Sequence, residues 1–204
     1  MIKVVLFDLD GTLLPMDQDT FAKAYFSGLA KKAYPYGYEQ EKLIKTIWAG
    51  TGAMIKNNGT KSNEEVFWQF FADVYGKESV KDIAIFDDFY ANEFEQVKAV
   101  CGFNPQAKEC VDKIKNMGYR VALATNPIFP SVATKARIRW AGLTPTDFEY
   151  YTTYENSSKC KPNPDYYKDI LKELNVPADE CLMVGNDVGE DMVAEKLGMR
   201  VFLI

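Results

Sequence analysis

The chain has 204 residues, 47% hydrophobic and 26% charged, with a net charge of −5; that excludes a disordered or low-complexity protein and supplies enough apolar side chains for a sizeable core. Only four arginines occur, at 120, 137, 139 and 200, and no basic stripe is visible, so nucleic acid is set aside as a partner. Histidine is absent, which removes the commonest general base and any Ser-His-Asp or Cys-His arrangement.

In chain order, Val4-Val5-Leu6-Phe7 is a β-branched and aromatic run that breaks at Asp8-Leu9-Asp10-Gly11-Thr12. It predicts a buried strand followed by a turn. A strand starting at Ile2 leaves no room for a signal peptide ahead of it. From about Met16 to Cys101 the pattern is helical: Phe21, Tyr25 and Leu29, then Leu43 and Ile47, then Val66, Phe67, Phe70, Phe71 and Val74 recur at helical spacings. Gly50 to Gly59 predicts a loop between two of these helices, and Ser62-Asn63-Glu64-Glu65 a helix start. No apolar run approaches the ~20 residues that a membrane span needs, so no membrane partner is expected.

After Asn104 the rhythm becomes alternating. A helix is predicted from Asn104 to Met117, a strand from Arg120 to Ala124, and a helix from Ser131 to Ala141. A short strand follows over Phe148 to Thr152, then a helix from Pro164 to Leu174 capped by Asn163. The chain closes with a strand over Cys181 to Val184, a helix over Glu190 to Leu197, and a strand over Val201 to Leu203. Strands alternating with helices predict an α/β fold with a doubly wound parallel sheet. The stretch before it is too long for one crossover. Residues 16–99 therefore read as an inserted α-helical cap domain, and residues 1–15 and 100–204 as the α/β core. Cys101, Cys110, Cys160 and Cys181 are scattered with no C-x-x-C pair, which fits reduced thiols in a cytoplasmic protein better than a disulfide framework or zinc site.

Ligands of a parallel sheet sit at the carboxyl ends of its strands, and the polar residues here gather at those ends. The first strand ends in Asp8-x-Asp10-Gly11-Thr12, the next in Thr125-Asn126, and a later one in Gly185-Asn186-Asp187-Val188-Gly189-Glu190-Asp191. Lys159 and Lys161 precede the Pro-Asn-Pro helix start. Taken singly each set has an ordinary reading: Asp in a turn, Thr-Asn before Pro127, solvated lysines, acids at a helix N-terminus. All of them at strand ends together suit a phosphate site. A phosphate ester repels nucleophiles, so charge must be neutralised and attack positioned. A carboxylate at the strand end can form an acyl phosphate, and a second one two residues on can exchange protons with leaving group and water. Mg²⁺ on Asp8 and Asp187 would keep Asp8 ionised and leave Asp10 to carry the proton.

These four sets, in this order and at these separations, resemble the haloacid dehalogenase superfamily, in its phosphatase branch with a helical cap inserted after the first strand. The resemblance implies a Mg²⁺-dependent phosphomonoester hydrolase acting on a small phosphorylated metabolite. In that pattern Asp8 is the nucleophile and Asp10 the general acid and base. Thr125 hydroxyl and Asn126 backbone N–H bind phosphate, a backbone carbonyl at Asp10 adds a metal ligand beside Asp8 and Asp187, and Asp191 supports the lysine. Many relatives have Asp where this chain has Asn186; Asp187 keeps a four-residue offset to Asp191, and either of the two is open as the metal ligand. The pattern's lysine stands directly before a proline, which selects Lys161 over Lys159. The dehalogenase and phosphonatase branches lack an Asp at the position of Asp10. A phosphomutase, or a phosphate-binding protein without turnover, are the competing readings. In the cap, which has no arginine, Lys56 and Asn57 are the residues expected to reach substrate.

Overall fold

The computed structural model describes all residues 1–204. Four parallel strands form the sheet: β1 (Val4–Phe7), β2 (Arg120–Leu123), β3 (Cys181–Gly185) and β4 (Arg200–Leu203), in the order β2-β1-β3-β4. β1 is fully buried, as a central strand covered on both faces must be. Alternation sends Val5 and Phe7 into one core and Val4 and Leu6 into the other. The first face packs on α5 (Pro105–Asn116), on α6 (Ser131–Trp140) and on the helical insertion; the second packs on α7 (Pro164–Glu173) and the 3-10 turn Met192–Leu197. The sheet is thus doubly wound. The chain leaves β1 for β2 on one side and returns to β3 on the other, so the crevice beyond Phe7 and Gly185 is the topological switch point.

The insertion between β1 and β2 carries α1 (Gln18–Ala33), α2 (Gln40–Ile55), α3 (Asn63–Tyr75) and α4 (Ile83–Ala91), followed by a 3-10 segment, Glu93–Val100. Local chemistry sets the helix starts. Asp17 accepts from Thr20 N, Ser62 and Glu65 form a reciprocal capping box, and Asn104 and Asn163 cap helices that open on Pro105 and Pro164. Aromatic packing ties the insertion to the sheet. Phe94 is fully buried, edge-on to Phe21 at 6.3 Å and stacked on Trp140 of α6 at 5.0 Å.

Three expectations need correction. The loop expected from Gly50 begins only at Lys56, because α2 continues to Ile55. Gly50 is a packing position there: a Cβ would strike the Phe67 ring of α3 at 2.8 Å, so the missing side chain lets two helices approach. Phe148–Thr152 is not a full strand. It follows the outer edge of β2 through Glu149 N to Val121 O and Thr152 N to Leu123 O, but Tyr151 alone pairs with Leu123. The chain then turns away, because Asn156 accepts from Thr153 N and fastens a turn there. The helix expected over Glu190–Leu197 is a 3-10 turn from Met192, since Asp187 and Asp191 use their carboxylates to fold the preceding loop.

Phe94→Ala should cost about 3–5 kcal/mol, the usual range for emptying a buried aromatic site. Urea unfolding followed by far-UV circular dichroism should show a lower midpoint with an unchanged slope; a loss below about 1 kcal/mol would mean that Phe94 does not join insertion and sheet.

Candidate active site

The carboxyl end of β1 delivers Asp8 into the crevice. Its N–H donates to Val184 O at 2.9 Å, which continues the ladder one residue past the strand and holds the side chain at the sheet's edge. Gly11 then turns the chain with φ of +90°, and a Cβ there would collide with the Asn186 amide. That close approach lets Thr12 Oγ1 reach both Asn186 Oδ1 at 3.1 Å and Asp8 Oδ2 at 3.2 Å.

Lys161 is one of the site's two buried cations. Its Nζ donates to Asp8 Oδ1 at 2.8 Å and to Asp191 Oδ1 at 2.6 Å, with 1% of its side chain exposed. Burial works against the ammonium, but Asp8, the hydroxyls of Tyr167 and Tyr166, and Asp191 outweigh it and hold Lys161 well above the ordinary lysine range. Burial pushes the Asp8 carboxyl up; Lys161 pulls it back, and the Asp10 charge adds to the rise. Asp191 is likewise raised by burial and eased by Lys161, and its Oδ2 also accepts from Asp187 N at 3.0 Å. Lys159 does something else. It is half-buried away from the crevice and donates to Asn57 O at 3.2 Å, fastening core to insertion.

Arg137 is the site residue that sequence reasoning missed. It is 99% buried on α6, and its guanidinium donates to Asp10 Oδ2 in an ion pair while lying over the Phe129 ring at 4.6 Å. A signal was available: Ala133, Arg137 and Trp140 share one helix face, and a charge on an apolar stripe demands a buried partner. The pairing leaves Asp10 Oδ1 without a partner.

Thr125 and Asn126 follow β2. The Thr125 carbonyl accepts from Tyr166 OH at 2.8 Å and Thr152 Oγ1 at 2.6 Å, which pins the backbone, while the buried Thr125 Oγ1 has no partner. Asn126 donates to Glu190 and keeps Oδ1 unpaired. Three of the chain's orphan polar atoms thus gather around one crevice, where a bound ligand or water can satisfy them. Asp187 is exposed at the rim, its Oδ1 taken by the Gly189 and Glu190 N–H groups. Lys56 and Asn57 do not line the crevice. Asn57 is buried and spends its amide on Lys61 O and Asn63 Oδ1, because it has to close the turn before α3. The insertion reaches the crevice through Gln18 and Phe21 of α1 instead.

The crevice encloses about 280 Å³ and is lined by five carboxylates: Asp8, Asp10, Asp187, Glu190 and Asp191. Two buried cations, Lys161 and Arg137, stand behind them. With every group ionised the site is three charges negative, so an anion needs added positive charge to enter. The donor set suits Mg²⁺: all oxygen, with the Asp8 and Asp187 carboxylates and the Asp10 carbonyl at neighbouring strand ends. No three such side chains converge into a cage, and Mg²⁺ needs none, since it keeps several waters and takes one or two carboxylates with a phosphate.

A family described as haloacid dehalogenase-like hydrolase matches residues 2–196, and the chain belongs to it. Among its relatives is a phosphoglycolate phosphatase of Vibrio parahaemolyticus, 27% identical over 204 residues that cover 98% of this chain and 82% of that protein. The fold resembles that of the family enzyme bt-2542 of Bacteroides thetaiotaomicron, solved with magnesium and inorganic phosphate, at 19% identity and a TM-score of 0.60, covering 100% of this chain and 94% of that one. It also resembles the L-2-haloacid dehalogenase of Xanthobacter autotrophicus, at 19% identity and a TM-score of 0.57, covering 100% of this chain and 78% of that one.

The two lysines separate in a stability measurement. Lys161→Ala leaves Asp8 and Asp191 buried without a counter-cation and should cost about 3–5 kcal/mol. Lys159→Ala gives up one partly exposed hydrogen bond and should cost about 1 kcal/mol or less. Chemical unfolding of both variants at neutral pH checks the order, and the reverse order would displace Lys161 from the centre of the site.

Proposed function

We propose that the protein is a Mg²⁺-dependent phosphomonoesterase that acts on a small phosphorylated metabolite through an aspartyl-phosphate at Asp8. One observation carries the reading: two carboxylates two residues apart are held by two different buried cations and differ in what they leave free. Asp8 faces an ammonium and points into the crevice, as a nucleophile must. Asp10 is gripped on one oxygen by Arg137 and has the other free, as a proton carrier must.

An Asp8 oxygen attacks phosphorus while the ester P–O bond breaks, and the leaving oxygen takes a proton from Asp10 Oδ1. Water then attacks the phosphorus of the aspartyl phosphate, giving its proton back to Asp10, and the bond to Asp8 breaks with release of phosphate. Thr125 hydroxyl and the Asn126 N–H hold the non-bridging oxygens; Lys161 offsets the charge on phosphate and Asp8, and Asp191 orients Lys161. Asp8, the Asp10 carbonyl and Asp187 would hold Mg²⁺, which when bound would supply the positive charge that the crevice lacks. The phosphatase names among the relatives support the reaction class, and the magnesium and phosphate of bt-2542 support the cofactor. No helix is long and apolar enough to cross a membrane, and four unpaired cysteines suit the reducing cytoplasm.

Released phosphate, measured over a panel of phosphomonoesters, should require Mg²⁺ and disappear with excess chelator. Asp8→Asn should lower turnover at least ~10³-fold with the fold intact. Asp10→Asn should still form phosphoenzyme from a good leaving group yet fail to hydrolyse it, which intact-protein mass spectrometry detects as added phosphate. Steady-state turnover by Asp8→Asn, with deamidation excluded, would refute the mechanism.

A further inference from the structure

A second cavity, of about 180 Å³, opens beside the crevice and shares four of its lining residues: Gln18, Phe21, Ile128 and Phe129. Its own walls are Tyr25 and Phe26 of α1 and Ile47 and Trp48 of α2. The two spaces therefore adjoin, and a group bonded to a phosphate in the crevice lies next to the cavity. The mechanism above leaves this space without a role.

Three features define what it takes. The first is size. An engineered cavity of about 150 Å³ lined by Leu, Ile and Phe accepts benzene, so about 180 Å³ is room for one six-membered ring and little more. The second is surface. Phe21, Phe129 and Tyr25 line the cavity and pack on one another with centroids 5.4–6.3 Å apart, an aromatic wall on which a further ring can stack or sit edge-on. Trp48 stands at the mouth against Phe26, 5.3 Å between centroids, and is 56% exposed. A ring in the cavity would cover it. The third is charge. Neither lining contains a lysine or arginine. The two buried cations nearby are committed, Arg137 to Asp10 behind the Phe129 ring and Lys161 to Asp8 and Asp191. Asp19 adds a negative charge to the cavity wall. A carboxylate or second phosphate on the leaving group would enter with no counter-ion, and desolvating it there is costly.

We propose that this cavity is a leaving-group pocket for one uncharged ring, so that the favoured substrates are monophosphate esters of aromatic or similarly compact apolar alcohols with no second anionic group. The assignment rests on the phosphatase reading and narrows it: it sets the chain apart from a relative named for phosphoglycolate, whose leaving group carries a carboxylate.

Calorimetric titration in Mg²⁺ buffer with two non-hydrolysable probes, benzylphosphonate and phosphonoacetate, tests the pocket directly. The protein should bind benzylphosphonate at least about tenfold more tightly. Ala22 of α1 and Thr51 of α2 also line the cavity. Ala22→Phe, which fills it, should remove most of that preference. Thr51→Lys, which places an ammonium on the opposite helix without filling it, should narrow or reverse the preference by strengthening phosphonoacetate. Thermal unfolding confirms that each variant is folded. Equal or absent binding of the two probes by the unaltered protein, or a benzyl preference untouched in both variants, overturns the assignment. Phosphate release from benzyl phosphate and phosphoglycolate is measured alongside. A benzyl preference in binding with no release from either ester keeps the pocket and removes the phosphatase reading. Equal kcat/KM on both esters keeps that reading and removes the pocket.

Discussion

The contact of Lys161 with Asp8 and Asp191 is the constraint on which the rest of the structure turns. Three charged groups lie almost wholly out of water, and two carboxylates share one ammonium. Such a cluster is tolerable only when each member has its partners in place, because an unpaired buried charge costs far more than a pair returns. The partners come from three separate segments: the end of β1 for Asp8, the loop before α7 for Lys161, and the loop after β3 for Asp191. The parallel sheet supplies the register that brings them together, and Asp8 N–H extends that register by one bond to Val184 O. Five carboxylates against two buried cations still leave the crevice with surplus negative charge.

Residues whose place at the crevice follows from a backbone feature were legible in the sequence. Asp8 and Asp10 are marked by the strand that breaks at Gly11; Lys161 is marked by Pro162; Thr125 and Asn126 are marked by the strand they end. The doubly wound core was legible for the same reason, since alternation of strand and helix after Asn104 is strong. Residues positioned by tertiary packing were not. Arg137 sits among Lys135 and Arg139 near a helix C-terminus, where basic side chains ordinarily complement the dipole in solvent, and only its place on the Ala133–Trp140 face betrays a buried role. Gly50 reads as a helix breaker until the Phe67 ring is seen against it. Asn57, in a polar loop, reads as a surface residue until its bonds to Lys61 O and Asn63 Oδ1 are known.

The helical insertion is fastened to the crevice rather than hung above it. Asn63 is wholly buried at the start of α3, and its amide donates to Pro127 O at 3.1 Å, one residue past Asn126. Asn63 N–H donates to Ser157 O and Lys159 to Asn57 O, so the loops that carry Asn126 and Lys161 are both tied to the same turn. Aromatic packing does the same on the other side. Phe129 lies between Arg137 and the rings of Phe21 and Tyr25, with one wall in the crevice and another in the cavity. The side chain that steadies the Asp10 partner is therefore also one that the leaving group would touch.

That arrangement bears on how a single fold carries different reactions. The backbone is nearly as similar to a haloacid dehalogenase, with a TM-score of 0.57, as to an enzyme solved with phosphate, at 0.60, so the sheet and its crevice do not by themselves choose the chemistry. The choice lies in a few side chains at the strand ends. In this chain the second carboxylate is present, and a buried arginine is spent on holding it with one oxygen free. A guanidinium buried to that degree is costly to maintain for structure alone, since an apolar residue of similar volume fills such a place at least as well. Its retention beside Asp10 is understandable if the proton carrier has to be held still between two steps in which it first gives a proton and then takes one back. Catalytic control would then sit on α6, a helix that contributes no residue to the four strand-end sets, and pass to the crevice through one ion pair.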